Sequence, residues 1–292
     1  MKRELNALAS EFKAYLRHVD EDALACAVIS PSPDGGPGRV QATIMTQSSE
    51  PVKRQPAAEP RPQQPQQPQS APQAAPRPMV KGGSKAAQLQ ELREQVQVCR
   101  KCQLGLSRIK PAFGVGNPDS PVIFVGEGPG YQEDRQGEPF VGRAGQLLDK
   151  MLAAMSLSRE AIYIANIVKC HPMIDPSKPD LHSNDRPPLP QEYNACRPYL
   201  DEQVRIIKPR FIVALGATAA RVLLNSSSSL SGLRGRFHDM PTGMFSHYEG
   251  VKMLATYHPA ALLRNPNWKK DAWADMKMLM AELGLKPAGE VK

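Results

Sequence analysis

The chain has 292 residues, of which 41% are hydrophobic and only 5% aromatic, with a net charge of +8. That is enough for one large domain or two small ones with a mainly aliphatic core, and the basic balance favours a polyanionic partner, because Lys and Arg that neutralise phosphates release counterions. The start, MKRELNALASEFKAYLRHV, is charged throughout rather than basic and then apolar, and Ala23 to Ile29 is an apolar run of seven residues. A secretory leader and a membrane span of about 20 residues are therefore not expected. The reading is a cytoplasmic protein, in which clustered cysteines signal metal or redox chemistry rather than disulfides.

In chain order, residues 1 to 29 read as an N-terminal helical segment, because Leu5, Leu8, Phe12, Leu16 and Val19 recur at helical spacing. Residues 30 to 84 read as a disordered linker rich in Pro and Gln, with PVKRQPAAEPRPQQPQQPQSAPQAAPRPM at its centre. Such a stretch lacks the apolar surface to form a core and behaves as a semi-extended tether. Structure is expected to resume at Lys85, where Leu89, Leu92, Val96 and Cys99 share one helical face.

Four apolar strands follow, at Pro121–Val125, Ile162–Val168, Phe211–Leu215 and Lys252–Thr256, alternating with helices at Gly145–Met155, Glu192–Ile207, Ala217–Leu224 and Asn267–Leu283. This alternation predicts an α/β fold, a three-layer α/β/α sandwich around a mostly parallel four-stranded central sheet. Ligands of such sheets bind beyond the carboxyl ends of the strands. Those ends carry GEGPG, Asn166 with Lys169–Cys170–His171–Pro172, Gly216–Ala217–Thr218, and Tyr257–His258–Pro259–Ala260. The polar and glycine-rich positions thus collect on one edge.

Five cysteines are present, Cys26, Cys99, Cys102, Cys170 and Cys196. Cys99 and Cys102 form C-x-x-C at a helix end, and with Cys170 and Cys196 they suit a four-thiolate site holding either zinc or a [4Fe–4S] cluster, which spacing alone does not separate. Two buried structural cysteines beside an accidental C-x-x-C is the plainer alternative.

The segment GEGPGYQEDRQGEPFVGRAG has neither the G-K-S/T of a phosphate loop nor the spacing of a dinucleotide fingerprint. Together with the N-x-V-K-C run at Asn166, the His258–Pro259–Ala260 turn followed by LLRNP, and the cysteine series, it resembles the iron–sulfur (type 4) uracil-DNA glycosylases, from about Leu89 to Leu283. The resemblance implies a glycosylase domain over 85–292 carrying a [4Fe–4S] cluster on Cys99, Cys102, Cys170 and Cys196. It implies a monofunctional hydrolase that releases uracil from single- or double-stranded DNA and leaves an abasic site, with His258, Glu127 and Asn166 catalytic. In that scheme Phe140 stacks on a base flipped from the helix. Asn166 reads its Watson–Crick edge, His258 donates a hydrogen bond to the developing uracil anion, and amides around Gly126–Gly128 hold the base. Glu127 orients water or contacts the base, Glu133 crowds the C5 edge against thymine, Leu262 wedges into the base stack, and Arg264 reaches phosphate, with Lys269 and Lys270 as further phosphate contacts.

Two departures from the family pattern stand out. Gly128 occupies a position where some relatives carry an Asp, and 25 residues separate Cys170 from Cys196, including a Pro-rich insertion expected to loop out. A monomer is expected, with a repair or replication protein as candidate partner of the N-terminal arm. The competing reading is a catalytically weak DNA-binding member of the same fold, and a further one is a zinc-stabilised structural domain.

Overall fold

The computed structural model describes residue 80, residues 82–241 and residues 248–288. The expectations for residues 1–29, for the linker up to 79 and for Cys26 lie outside the described residues.

Helix α1 (Lys85–Gln97) starts where the Ser84 hydroxyl accepts from the Ala87 amide at 3.2 Å, and it buries Leu89, Leu92 and Val96. The short α2 (Leu104–Ser107) follows the C-x-x-C pair. Next come β1 (Val115–Gly116), β2 (Val122–Gly126), α3 (Tyr131–Gln136), α4 (Arg143–Ala154) and β3 (Tyr163–Asn166). After an irregular segment come α5 (Pro190–Ile207), β4 (Phe211–Leu215), α6 (Ala217–Leu224), α7 (Leu230–Leu233) and β5 (Phe237–Asp239). Strand β6 (Lys252–Thr256), α8 (Pro259–Arg264), a 3-10 turn at Pro266–Trp268 and α9 (Lys269–Leu283) complete the order.

The strands form one six-stranded sheet in the order β1-β3-β2-β4-β6-β5. The inner four, β3, β2, β4 and β6, are mutually parallel and are the four read from sequence; β1 and β5 add antiparallel edges. Alternate side chains serve opposite faces, as the pleat requires. Ile123, Val125, Ile212, Ala214, Met253 and Ala255 pack with α1, α5 and α6. Val122, Phe124, Phe211, Val213, Leu215 and Leu254 pack with α4 and α9. Every inner strand is apolar on both faces because helices cover both. Among the described residues, no helix is long and apolar enough to cross a membrane.

Candidate active site

The carboxyl edge of the parallel strands is where the unusual residues meet. Gly126 and Asn166 are register partners at the ends of β2 and β3. Gly216 follows β4, and His258 lies two residues past the end of β6. The strand order therefore lines up Asn166, Gly126, Gly216 and His258 across the sheet.

Gly126 leaves the space they share. A Cβ there would lie 2.4 Å from Asn166 Oδ1 and 2.6 Å from Cζ of Phe140, so the amide and the ring face the same point above its Cα. The Phe140 and His258 rings stand 5.4 Å apart, inclined at 32°. Asn166 is buried, and its Oδ1 is a buried acceptor with no protein partner. An acceptor left so is costly unless something else supplies a donor. The structure thus gathers Asn166, Phe140 and His258 about one glycine.

His258 is also the N-cap of α8: its Nδ1 accepts from the Ala260 amide at 3.1 Å, with Pro259 at the first helical position. That bond puts the proton of a neutral ring on Nε2, leaving Nε2–H free to donate. Burial, aided by the nearby Arg264 charge, lowers the His258 pKa to about 4, so the ring is neutral near pH 7. Gly216 (φ +97°) permits this approach, since a Cβ there would stand 3.1 Å from His258 Cβ.

Phe140 has φ +56°, an uncommon conformation for a residue with a bulky side chain. Three contacts hold it. Gly145 lets α4 approach so closely that any Cβ there would overlap the Phe140 carbonyl. Arg159, paired with Asp149 at 2.6 Å, donates to the carbonyls of Pro139 and Phe140. Glu133 takes the amides of Val141 and Gly142 on Oε1, each at 2.9 Å, and the Gly130 amide on Oε2 at 3.2 Å. Its carboxylate therefore clamps the Phe140 loop to the start of α3. The spacing of E-D to P-F-V-G in the sequence was the signal for this contact, but it did not say which atoms meet.

Glu127 is half-buried, and its carbonyl accepts from the Val168 amide at 3.2 Å. At Gly128 a Cβ would lie 2.7 Å from Val168 Cγ2, so the site has no room for a longer side chain there unless Val168 moves.

Leu262 is not placed for the wedge role expected of it: it is 2% exposed and packs in the core between the sheet, α4 and α9. Its position in the short α8 turns it inward, while the next residue, Leu263, is half-buried. Arg264 is exposed, close enough for its charge to act on His258. Lys270 is exposed, and Lys269 is half-buried.

Cys99, Cys102, Cys170 and Cys196 line a single small cavity together with Val96, Arg108, Lys169 and Tyr199. The insertion after Cys170 does not separate them. It folds back instead of projecting: Met173 bridges Asp185, Arg186 forks onto Glu192, Arg135 pairs with Asp180 at 2.6 Å, and His182 stacks on Tyr131 at 3.8 Å. His171 is buried against Asp185 at 2.6 Å. Burial alone would lower its pKa, but the Asp134 carboxylate 3.8 Å away and the hydrogen bond to Asp185 outweigh that and raise it to about 9. None of these ties was readable from composition.

Burial pushes the thiols of Cys170 and Cys196 up to about 12 and 11. Thiolates there need cationic neighbours. Arg108 donates to Cys170 Sγ at 3.0 Å and to the carbonyls of Val96, Gln97 and Cys99. Lys169 lies between the two buried cysteines, its amide 3.3 Å from Cys196 Sγ; burial lowers its pKa to about 8, against the pull of Cys196, Asp201 and Cys170. Among the described residues, no three His, Cys, Asp or Glu side chains are grouped so as to hold a metal ion. The thiols ring a cavity rather than meeting at a point.

The family model described as the uracil DNA glycosylase superfamily matches residues 113–277, which include Gly126, Glu127, Glu133, Phe140, Asn166 and His258. A type-4 uracil-DNA glycosylase of Archaeoglobus fulgidus is 37% identical over 195 residues, covering 65% of this chain and 91% of that protein. One of Thermotoga maritima is 42% identical over 173 residues, covering 59% of this chain and 81% of that protein. A third, of Sulfurisphaera tokodaii, is 37% identical over 204 residues, 68% of this chain and 86% of its own. With its fold, its strand-end motifs and this breadth of similarity, the chain belongs to the uracil DNA glycosylase superfamily and groups with its type-4 members.

Proposed function

We propose that the protein is a uracil-DNA glycosylase of base excision repair, a monofunctional hydrolase that cuts the bond between uracil and deoxyribose and leaves an abasic site. The observation that carries this is the buried, partnerless Oδ1 of Asn166, facing the same space as the Phe140 ring above Gly126. Uracil presents an N3–H donor to such an acceptor; cytosine presents an acceptor at N3, which would leave both groups unpaired. A base must leave the duplex to reach this point. Phe140 stacks on it, and the amides around Gly126–Gly128 help hold it.

As the glycosidic bond breaks, negative charge develops on the uracil. His258 meets it with a neutral Nε2–H donor, fixed beforehand by the Nδ1 bond to Ala260. Such preorganised donors are commonly the largest single catalytic effect. Glu127, half-buried beside the glycines, orients the attacking water. Glu133 acts through the loop it clamps, keeping Phe140 close to the C5 edge and so guarding against thymine. Arg264 contacts DNA phosphate.

Cys99, Cys102, Cys170 and Cys196 would hold a [4Fe–4S] cluster. Such a cluster would supply positive charge against the buried thiolates, with Arg108 donating to Cys170 Sγ beside them, and these four residues would tie α1 and the C-x-x-C loop to the end of β3. In this reading the protein acts as a monomer on single- or double-stranded DNA in the cytoplasm. The reading takes the glycosylase domain from residue 85, with residues 30–84 as linker and residues 1–29 as the segment that would recruit a repair or replication protein.

The test is incubation with a uracil-containing oligonucleotide followed by alkali, which cuts at abasic sites. Wild type should yield cut strand, His258→Ala far less, and Asn166→Asp less or with altered base preference. Equal cleavage by all three would remove the site assignment, and no cleavage by wild type would favour the weak DNA-binding reading.

A further inference from the structure

Lys169 is a fully buried lysine beside the cysteines to which the base-excision steps above assign no role. A lysine in the interior is a poor choice for packing, since an unpaired ammonium there is strongly disfavoured and an apolar side chain of the same length would fill the space. Its Nζ is committed on two sides, donating to the backbone carbonyl of Asn166 at 2.9 Å and to Oε1 of Gln203 at 2.6 Å. Gln203 in turn donates to the Phe113 carbonyl and the Tyr163 hydroxyl, which anchors it in the core. At its other end, the Lys169 amide donates to Cys196 Sγ, and its chain neighbour is Cys170.

The position of the Asn166 carbonyl gives this arrangement its consequence. Gly126↔Asn166 is the last register pair between β2 and β3; just beyond it the Ile167 and Val168 amides still donate to the carbonyls of Gly126 and Glu127, while the Asn166 carbonyl is taken by Lys169 Nζ at 2.9 Å. The direction of the Asn166 amide, oxygen toward the shared space, depends on how that last peptide is held. Its amide side is bonded to the Gly126 carbonyl through Ile167, and Lys169 Nζ holds its carbonyl side. We propose that Lys169 is a positioning residue that ties the four-cysteine site to Asn166 and fixes the direction in which the Asn166 amide reads the base. This rests on the reading of Asn166 as the base reader. It makes the cysteine site an influence on uracil selection, where otherwise it would only brace the fold.

The experiment uses the full-length holoprotein and free uracil as the probe, measured as a competitive inhibitor of excision. Lys169→Met, Asn166→Ala and the double variant are compared with wild type, with visible absorption and the thermal midpoint recorded for each. Lys169→Met should weaken inhibition by uracil about tenfold while keeping the brown absorption, in line with the cost of misdirecting one buried hydrogen bond. The double variant should be no worse than Asn166→Ala alone, because Lys169 acts through Asn166. A purely structural role would let the two losses multiply, which overturns the proposal, as would wild-type inhibition in Lys169→Met. If Lys169→Met does not accumulate as folded protein, Gln203→Met removes the second acceptor of Nζ, and unchanged inhibition in that variant overturns the proposal. Unchanged inhibition in Asn166→Ala removes the base-reading assignment itself, a separate and recognisable failure.

Discussion

Lowering the pH tests whether His258 works as a neutral imidazole. Its pKa falls from 6.5 to about 4, chiefly through burial and then through Arg264. At about 1.4 kcal/mol per pH unit, the neutral ring is favoured by about 3 kcal/mol relative to an imidazole in water. The unfolded chain binds this proton near pH 6.5 and the folded chain near 4, so the contribution to stability is complete above 6.5, declines as pH falls from 6.5 to about 4, and is level below that. Catalysis should follow the folded value. Measured under saturating single-stranded substrate, kcat should show no acid limb near pH 6.5 that depends on His258. His258→Ala should lower kcat by roughly 10²–10³ at every pH, about 2.7–4 kcal/mol, with KM little changed, as for loss of one preorganised donor. A limb centred near pH 6.5 in wild type and absent from His258→Ala would mean that the imidazole titrates as though solvated. The argument from burial and from the Ala260 bond would then be wrong.

Other consequences are more direct. Gly126→Ala places a methyl group 2.4 Å from Asn166 Oδ1 and 2.6 Å from the Phe140 ring, so excision should fall at least 100-fold while far-ultraviolet circular dichroism is retained. Arg159→Ala releases the Pro139 and Phe140 carbonyls from their guanidinium, and should cost about 1–3 kcal/mol in urea unfolding and raise KM, with Arg159→Lys recovering part of the loss. Glu133→Gln keeps one amide-accepting oxygen and should be milder than Glu133→Ala, which leaves the Val141 and Gly142 amides without their partner; thymine excision in Glu133→Ala measures whether the clamp guards the C5 edge. Cys196→Ser should bleach the visible absorption and lower the thermal midpoint, whereas wild-type colour in that variant would remove Cys196 from the ligand set.

What could be read along the chain was local. The four parallel strands stood out because both faces of each are apolar, and β4 and β6 begin and end where the pattern said. The H-P-A turn was read as following a strand, but the short helix that it opens, with His258 as N-cap and Pro259 behind it, was not read. The edge strands β1 and β5 were missed because two and three residues are too short for any period to register. Leu262 was assigned outward from its place in a motif, yet α8 turns it into the core. The insertion, read as a loop, is held to α3 by Arg135 and Tyr131, contacts between segments 44 or more residues apart.

By itself, then, the chain's order of residues determined that the four inner strands form and which side chains stand near their carboxyl ends, because alternation, caps and glycines act between neighbours. Only the tertiary structure decided that Gly126 and Asn166 share a rung, that Phe140 is clamped by Glu133 and Arg159, that His258 loses its proton affinity, and that Lys169 bridges the cysteines and Asn166. Those outcomes depend on register and on exclusion of water, and both are set by the packing of distant segments against one another.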